Sequence, residues 1–354
     1  MAKQFQPNIT PEILRLVGRL DEFKGAWPAI ERTLVPERSD ALRQAAFIEN
    51  VGAGARLDGL RIADKDVVRL LATRPAWSFK TSGERKVAGY AVALEASVRA
   101  SVQESFTEEF IRQRHRELFQ HTEGDPRRHG AYKRVPNKLE GLDADGFTTA
   151  SPDEAPKRMR EIVGWINRSL GDSQNHPLVM IPVFTAVFTA ISPFDEGNGR
   201  LGRLLTLVLL QRAGYGFMPY SSLDKVLESD QKGYVRAMRA ALDTLTGQMP
   251  DCTSWTLFLL KSLEAQAQRL YGATETEKKG KGERGRDAVE ENLPELSARI
   301  VACIRSAGRA DMGALISETG VSRNTLKEHL RKLLAAGRIV KHGERRGTWY
   351  TLPK

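Results

Sequence analysis

The residues whose spacing carries the most chemistry lie in Ser192-Pro193-Phe194-Asp195-Glu196-Gly197-Asn198-Gly199-Arg200-Leu201-Gly202-Arg203. Gly197 and Gly199 let the backbone curl so that several N–H groups face one point, and the positive end of a helix starting there adds to that field. Arg200 and Arg203 are three residues apart and rise from one helical face. Glu196 stands just before this nest. An anion nest, two arginines and one carboxylate describe a site for a polyphosphate with a divalent cation. A Gly-rich helix start with two solvated arginines has the same pattern, so local spacing leaves both readings open.

Two buried helices must hold this loop. Leu178 to Ile191 contains no charge, and Leu204 to Leu210 is apolar. His176-Pro177 opens the first helix, and Pro182 kinks it or marks its start. Val183, Phe184, Val187, Phe188 and Ile191 are expected in the core.

The stretch resembles the core motif of Fic (Fido) domains, His-x-Phe-x-Asp/Glu-Gly-Asn-Gly-Arg-x-x-Arg. Seven of its eight specified positions match, and the exception is Ser192, where the family has its catalytic His. Most members transfer AMP from ATP to a protein hydroxyl. The resemblance implies ATP and Mg2+ as cofactors, with Glu196 toward the metal. Phe194, Gly197, Asn198, Gly199, Arg200 and Arg203 are implied to form the nucleotide site: the nest with Asn198 for the α/β-phosphates, the arginines for the β/γ end, Phe194 as the loop's anchor. The family His takes the proton from the target hydroxyl. A serine hydroxyl has no useful proton affinity near neutral pH, whereas imidazole titrates there, and loss of a general base costs typically about 10²–10⁴-fold. Three readings follow. The chain holds nucleotide without transferring AMP; or it is a slow or altered transferase with another base; or Ser192 is an engineered replacement of His in an ordinary AMP-transferase.

Val51-Gly52-Ala53-Gly54-Ala55-Arg56-Leu57-Asp58-Gly59 is by itself a Gly-rich turn with one acid. Beside a Fic core it resembles the family's inhibitory helix, Ser/Thr-x-x-x-Glu-Gly/Asn, whose Glu pairs with the second motif arginine. Gly54 then replaces the Ser/Thr, Asp58 replaces the Glu, and Asp58 is expected to face Arg203. The shorter acid and the helix-weakening glycine imply a degraded brake. Thr185, where the family often has another His, departs in the same sense. These losses favour the first reading. His115 matches a His common in a family helix, and its simpler role is packing.

The rest of the chain supplies the frame. Thr10 caps a first helix with Leu14, Val17, Leu20 and Phe23 on its apolar face. Ser39–Ile48, Ala63–Leu71, Val87–Val102, Thr107–Phe119, Ala155–Ser169 and Trp255–Tyr271 are further helices. Gly146 to Pro152 suits a hairpin. The resemblance makes it the flap that pairs with a target segment, with Phe147, Thr148 and Thr149 at the contact. Tyr220-Ser221-Ser222-Leu223 and Tyr234 resemble the family segment after the motif.

Residues 273–292 are charged and Gly-rich and are expected to be a linker. Beyond them, three helices and two strands resemble a winged helix-turn-helix. Arg323, Asn324, Lys327 and Arg331 fall on the exposed face of its third helix, with Arg345 and Arg346 at the wing tip. Residues 294–354 hold twelve Lys/Arg against five Asp/Glu, a net +7 out of +10 for all 354 residues, which favours DNA phosphates as partner.

Hydrophobic content of 41% and 28% charge fit a globular chain. No apolar run reaches the roughly 18 residues of a membrane span, no signal-peptide pattern opens the sequence, and two cysteines make neither a disulfide framework nor a zinc site. A cytoplasmic location is expected. The expected fold is mainly α: an N-terminal helical region with the inhibitory-helix-like segment (1–100), a Fic core with a short β-hairpin flap (101–270), a flexible charged linker (271–293) and a small winged-helix α+β domain (294–354). A protein target at the flap is an implied partner, and dimerisation through either domain is left open.

Overall fold

The computed structural model describes residues 8–74, 77–100, 104–139, 147–245, 250–287, 295–335, 339–343 and 347–352. They divide into two compact units, one up to Thr274 and one from Glu275.

The first unit is helical. Thr10 caps α1 (Pro11–Thr33) by accepting the Ile13 N–H at 3.2 Å. Its buried face is Ile13, Leu16, Leu20 and Trp27, not the expected Leu14, which is 60% exposed. The reason is geometric: steps of three drift by about 60° each around a helix of 3.6 residues per turn. Then come α2 (Pro36–Leu57), α3 (Asp64–Ala72), α4 (Ser82–Ala100) and α5 (Glu108–Leu118). Helix α2 runs unbroken through Gly52 and Gly54 to Leu57. Thr107 caps α5, accepting from the Phe110 N–H at 3.1 Å.

A short antiparallel pair follows, β1 (Lys138–Leu139) with β2 (Phe147–Thr148), in register Lys138 with Thr148 and Leu139 with Phe147. The expected hairpin therefore exists, but its first strand lies earlier than Gly146. Next are α6 (Ala155–Gly171), α7 (Pro177–Ile191), α8 (Asn198–Arg212), α9 (Leu223–Ser229), α10 (Gln231–Leu245) and α11 (Thr253–Asp287). Helix continues in α11 into the segment that composition marks as a linker.

Helices α7 and α8 form the middle of the core. Every residue from Leu178 to Phe188 is buried, as is every residue from Arg200 to Leu210. They pack on each other, α6 covers α7, and α2 lies against α4 and α9. A helix buried all round has no solvent face to spare, so the loop between α7 and α8 is held at both ends.

The second unit runs α12 (Glu295–Ala307), β3 (Ala310–Asp311), α13 (Met312–Thr319), α14 (Arg323–Ala335), β4 (Val340–His342) and β5 (Trp349–Thr351). Its sheet is antiparallel in the order β3-β5-β4. Strand β3 has no counterpart in the sequence reading. Ile300, Ile304, Leu315, Leu326, Leu330 and Tyr350 belong to a core of this unit's own.

Candidate functional site

Helix α7 ends at Ser192, the one non-glycine residue with positive φ (41°) among those described. This left-handed step closes the helix, with the Ser192 N–H donating to Phe188 O at 2.9 Å. It carries strain for a non-glycine residue, and neighbours hold it. Lys133 Nζ donates to Ile191 O (3.0 Å), Asn137 Oδ1 (2.8 Å) and Thr149 Oγ1 (2.7 Å). Asn137 Nδ2 donates to Phe194 O at 2.8 Å. Burial lowers the Lys133 ammonium to a pKa of about 8. Sequence gave no cue to Lys133 or Asn137.

The Ser192 side chain is 0% exposed, and its hydroxyl donates to Thr189 O at 2.7 Å. Phe194 is equally buried. It stacks on His115 with centroids 4.0 Å apart and planes 15° off parallel. The His115 ring has one assignment: Nδ1 accepts from the Gly130 N–H (2.8 Å), so Nε2 carries the proton and donates to Glu196 O (3.1 Å). Burial, the largest influence, pulls its pKa down to about 4. His115 is thus a neutral strut under the loop, as its packing reading implied. Asn198 also serves the loop. Its Oδ1 accepts from the Phe194 N–H (3.0 Å) and its Nδ2 donates to Phe194 O (2.7 Å). The resemblance had placed it on phosphates.

Gly197 has φ 77°, and a Cβ there would sit 2.8 Å from the Phe119 ring, so glycine is required on two counts. At Gly199 an added Cβ would lie 3.3 Å from Asp58 Oδ1 and 3.5 Å from Arg203 Nη1. The helix start is therefore roofed by a carboxylate and a guanidinium. Glu196 is exposed at its lip, with Lys86 Nζ 3.5 Å from Oε2.

Both arginines are buried, and neither is solvated. Asp58 bridges them: Arg200 Nε donates to Oδ2 (2.7 Å) and Arg203 Nη2 to Oδ1 (3.0 Å). Arg203 Nη2 also donates to Gly54 O (2.8 Å), and its Nε lies 3.4 Å from Asp224 Oδ2. Burial works against the Arg203 charge, but Asp58 and then Asp224 outweigh it and push its pKa up. Asp58 thus meets Arg203 as expected and Arg200 as well, so its shorter side chain still reaches.

Of the flap candidates, Thr148 is exposed, whereas Phe147 and Thr149 are buried, Thr149 against Lys133 and Asn137. Phe147 packs into the core, with the Arg239 guanidinium 6.0 Å from its ring centroid. In the second unit Arg323, Asn324, Lys327 and Arg331 are all exposed on α14, opposite buried Leu326, Leu330 and Leu333. Arg345 and Arg346 lie outside the described residues.

Residues 105–210, which contain the whole site except Asp58, Gly54, Lys86 and Asp224, match the Fic/DOC family. This segment is a Fic domain. Curated relatives include the protein adenylyltransferase Fic of Drosophila grimshawi, 27% identical over 75% of this chain and 53% of the relative, and that of Drosophila virilis, 28% identical over the same shares. The chain spans about half the length of the curated relatives it matches. A Fic family protein from Desulfovibrio desulfuricans G20 shares the fold over 99% of this chain and 98% of its own, with a TM-score of 0.62 at 22% identity. A Fic domain containing signaling protein from Bacteroides thetaiotaomicron covers 73% of this chain, with a TM-score of 0.60 at 20% identity. Among the described residues no helix is long and apolar enough to cross a membrane.

Proposed function

We propose that this chain is a Fic-fold nucleotide-binding protein whose AMP transfer from ATP to protein hydroxyls is absent or much weakened, joined to a DNA-binding winged helix and acting as a regulator. The carrying observation is Ser192: an alcohol oxygen has no useful proton affinity near neutral pH, and this one is buried with its hydroxyl turned to Thr189 O, out of a substrate's reach. The catalytic base of the family is missing, and the residue in its place faces inward.

The donor set fits a polyphosphate. The Asp58 carboxylate lies between two guanidinium groups, the place where phosphate oxygens would be bound. Gly199 gives backbone access at the α8 N-terminus. Glu196 is the exposed carboxylate toward which Mg2+ would lie. Because no group of three or more His, Cys, Asp or Glu side chains that could hold a metal exists among the described residues, the phosphates would have to complete its shell. Bound ATP would supply the transferable AMP. The chain's own part is to orient the phosphates with Arg200 and Arg203 and to keep the loop rigid through Phe194, His115 and Asn198. Asp58 must leave before either arginine can do so.

The DNA-binding part rests on the second unit's element order, helix–strand–helix–helix–strand–strand, on the exposed Arg323, Asn324, Lys327 and Arg331, and on the local net charge of +7 over residues 294–354. A protein target at the flap would meet Thr148 first.

The test is label transfer from ATP with Mg2+, alongside calorimetric ATP binding, for the chain itself, Ser192→His, Asp58→Gly and the double variant. ATP binding is expected to strengthen on Asp58→Gly whichever residue is at 192. Transfer is expected only with His at 192, and fastest in the double variant. Comparable transfer by a chain retaining Ser192 would overturn the reading.

A further inference from the structure

Arg203 keeps two of its contacts if Asp58 is taken away. One is the Gly54 carbonyl. The other is Asp224, in the first turn of α9, whose Oδ2 also accepts the Tyr90 hydroxyl at 2.6 Å. Asp224 and Tyr90 are both fully enclosed. The Tyr90 ring presses on α2: a Cβ at Gly54 would stand 2.2 Å from Tyr90 Cε1 and 2.5 Å from Asp224 Oδ2. In a family whose inhibitory helix has Ser or Thr at this point, glycine makes room for the Tyr90–Asp224 pair.

One face of α2 is fitted to this pair over successive turns. Asn50, Gly54 and Asp58 are four residues apart and so lie in line. Asn50 Oδ1 accepts from the Ser222 hydroxyl (2.8 Å) and the Asp224 N–H (3.4 Å), which fixes the start of α9. Gly54 offers its carbonyl to Arg203. Asp58, at the C-terminal end of α2, touches the arginines alone among these groups. The three contacts therefore differ in kind. Asn50 and Gly54 are buried within the helix, whereas Asp58 caps its C-terminal end and is exposed.

We propose that Asp224, oriented by Tyr90, is a positioning residue for Arg203. It holds the guanidinium over the α8 N-terminus independently of Asp58, so that when Asp58 leaves Arg203 is already aimed at the terminal phosphate of a bound nucleoside triphosphate. This rests on the nucleotide reading above. Without Asp224 the guanidinium would lose its remaining charged partner, and neutral contacts such as the Gly54 carbonyl would hold that geometry less tightly. With it, the arginine distinguishes ATP from ADP at no cost of ordering.

The effect has a sign that separates it from plain electrostatics. Neutralising Asp224 makes the site more positive, and charge alone would then favour the more anionic ATP. Loss of positioning does the reverse. ATP and ADP binding would be measured by calorimetry with Mg2+ on the full chain, in Asp58→Ala, Asp58→Ala/Asp224→Asn and Asp58→Ala/Tyr90→Phe. Asp58→Ala is expected to prefer ATP by about tenfold, the worth of one charge-assisted contact. Both double variants are expected to bring the ratio toward one while still binding ADP. Tyr90→Phe keeps the ring that fills the space over Gly54, so it tests the hydroxyl without opening a cavity. A ratio that stays or rises in the double variants would overturn the positioning role while leaving nucleotide binding intact. Failure of Asp58→Ala to bind either nucleotide would overturn both readings together.

Discussion

At the scale of single residues, buried groups with fixed partners give the sharpest expectations. Between pH 6.5 and about 4 the unfolded chain binds a proton at His115 that the folded chain refuses. The stability from this residue is complete above pH 6.5 and is lost as the pH falls, by on the order of 3 kcal/mol near pH 4. His115→Phe, which keeps the stack on Phe194, should flatten that part of the slope; equal slopes for both chains in urea unfolding between pH 7 and 4 would contradict it. Gly54→Ala forces a methyl against the Tyr90 ring and should cost about 1–3 kcal/mol, read as a lower thermal midpoint. The loop residues that make these groups matter were legible because Gly-Asn-Gly-Arg-x-x-Arg is local in sequence. Tyr90 and Asp224 were not: they are 134 positions apart, and no local pattern marks either one. The loop-closing bonds of Asn198 were not legible for a related reason. Its side chain bonds Phe194, four residues back, and an asparagine that closes its own loop has the same letter as one that waits for a ligand.

At the scale of elements, helix starts such as those at Thr10 and Thr107 followed from sequence, because an N-cap acts within three residues, whereas α10 had no counterpart in the sequence reading. The hairpin was found but misplaced: its partner strand, Lys138–Leu139, is two residues long and carries no alternation to detect. What fixes it is Lys133, whose ammonium joins the end of α7 to Asn137 and to Thr149 after β2. Lys133→Met should leave three acceptors without their donor and cost about 3 kcal/mol. It should also free the β1–β2 pair, so that limited proteolysis cuts near the pair well before the rest of the first unit opens. Cleavage no faster than in the parent chain would show that the hairpin is anchored elsewhere.

At the scale of the molecule, two separate cores mean two separate folding units. The core around Ile300, Leu315, Leu326 and Leu330 lies wholly beyond Glu275. A chain beginning at Glu275 should therefore melt cooperatively on its own; a featureless melt would show that it borrows stability from the first unit. If the second unit holds DNA, binding of a mixed-sequence duplex by the full chain should weaken with salt. Arg323→Ala and Lys327→Ala should each lower the slope of log affinity against log salt by about one. An unchanged slope would remove α14 from the interface. Burial of Leu326, Leu330 and Leu333 on one side of α14 leaves Arg323, Asn324, Lys327 and Arg331 on the face that the sequence reading expects to be free.

The fit of Tyr90 over Gly54 also bears on how such a chain can change by single substitutions. A hydroxyl-bearing residue enters at position 54 only at a cost while the ring is there, since its Cβ alone would stand 2.2 Å from a ring carbon. Nor can the ring shrink without cost, because it fills space that a glycine leaves empty. The two positions are thus coupled: either change alone is destabilising, and the two together relieve each other. The stability of four chains (parent, each single variant and the double) would measure that coupling directly.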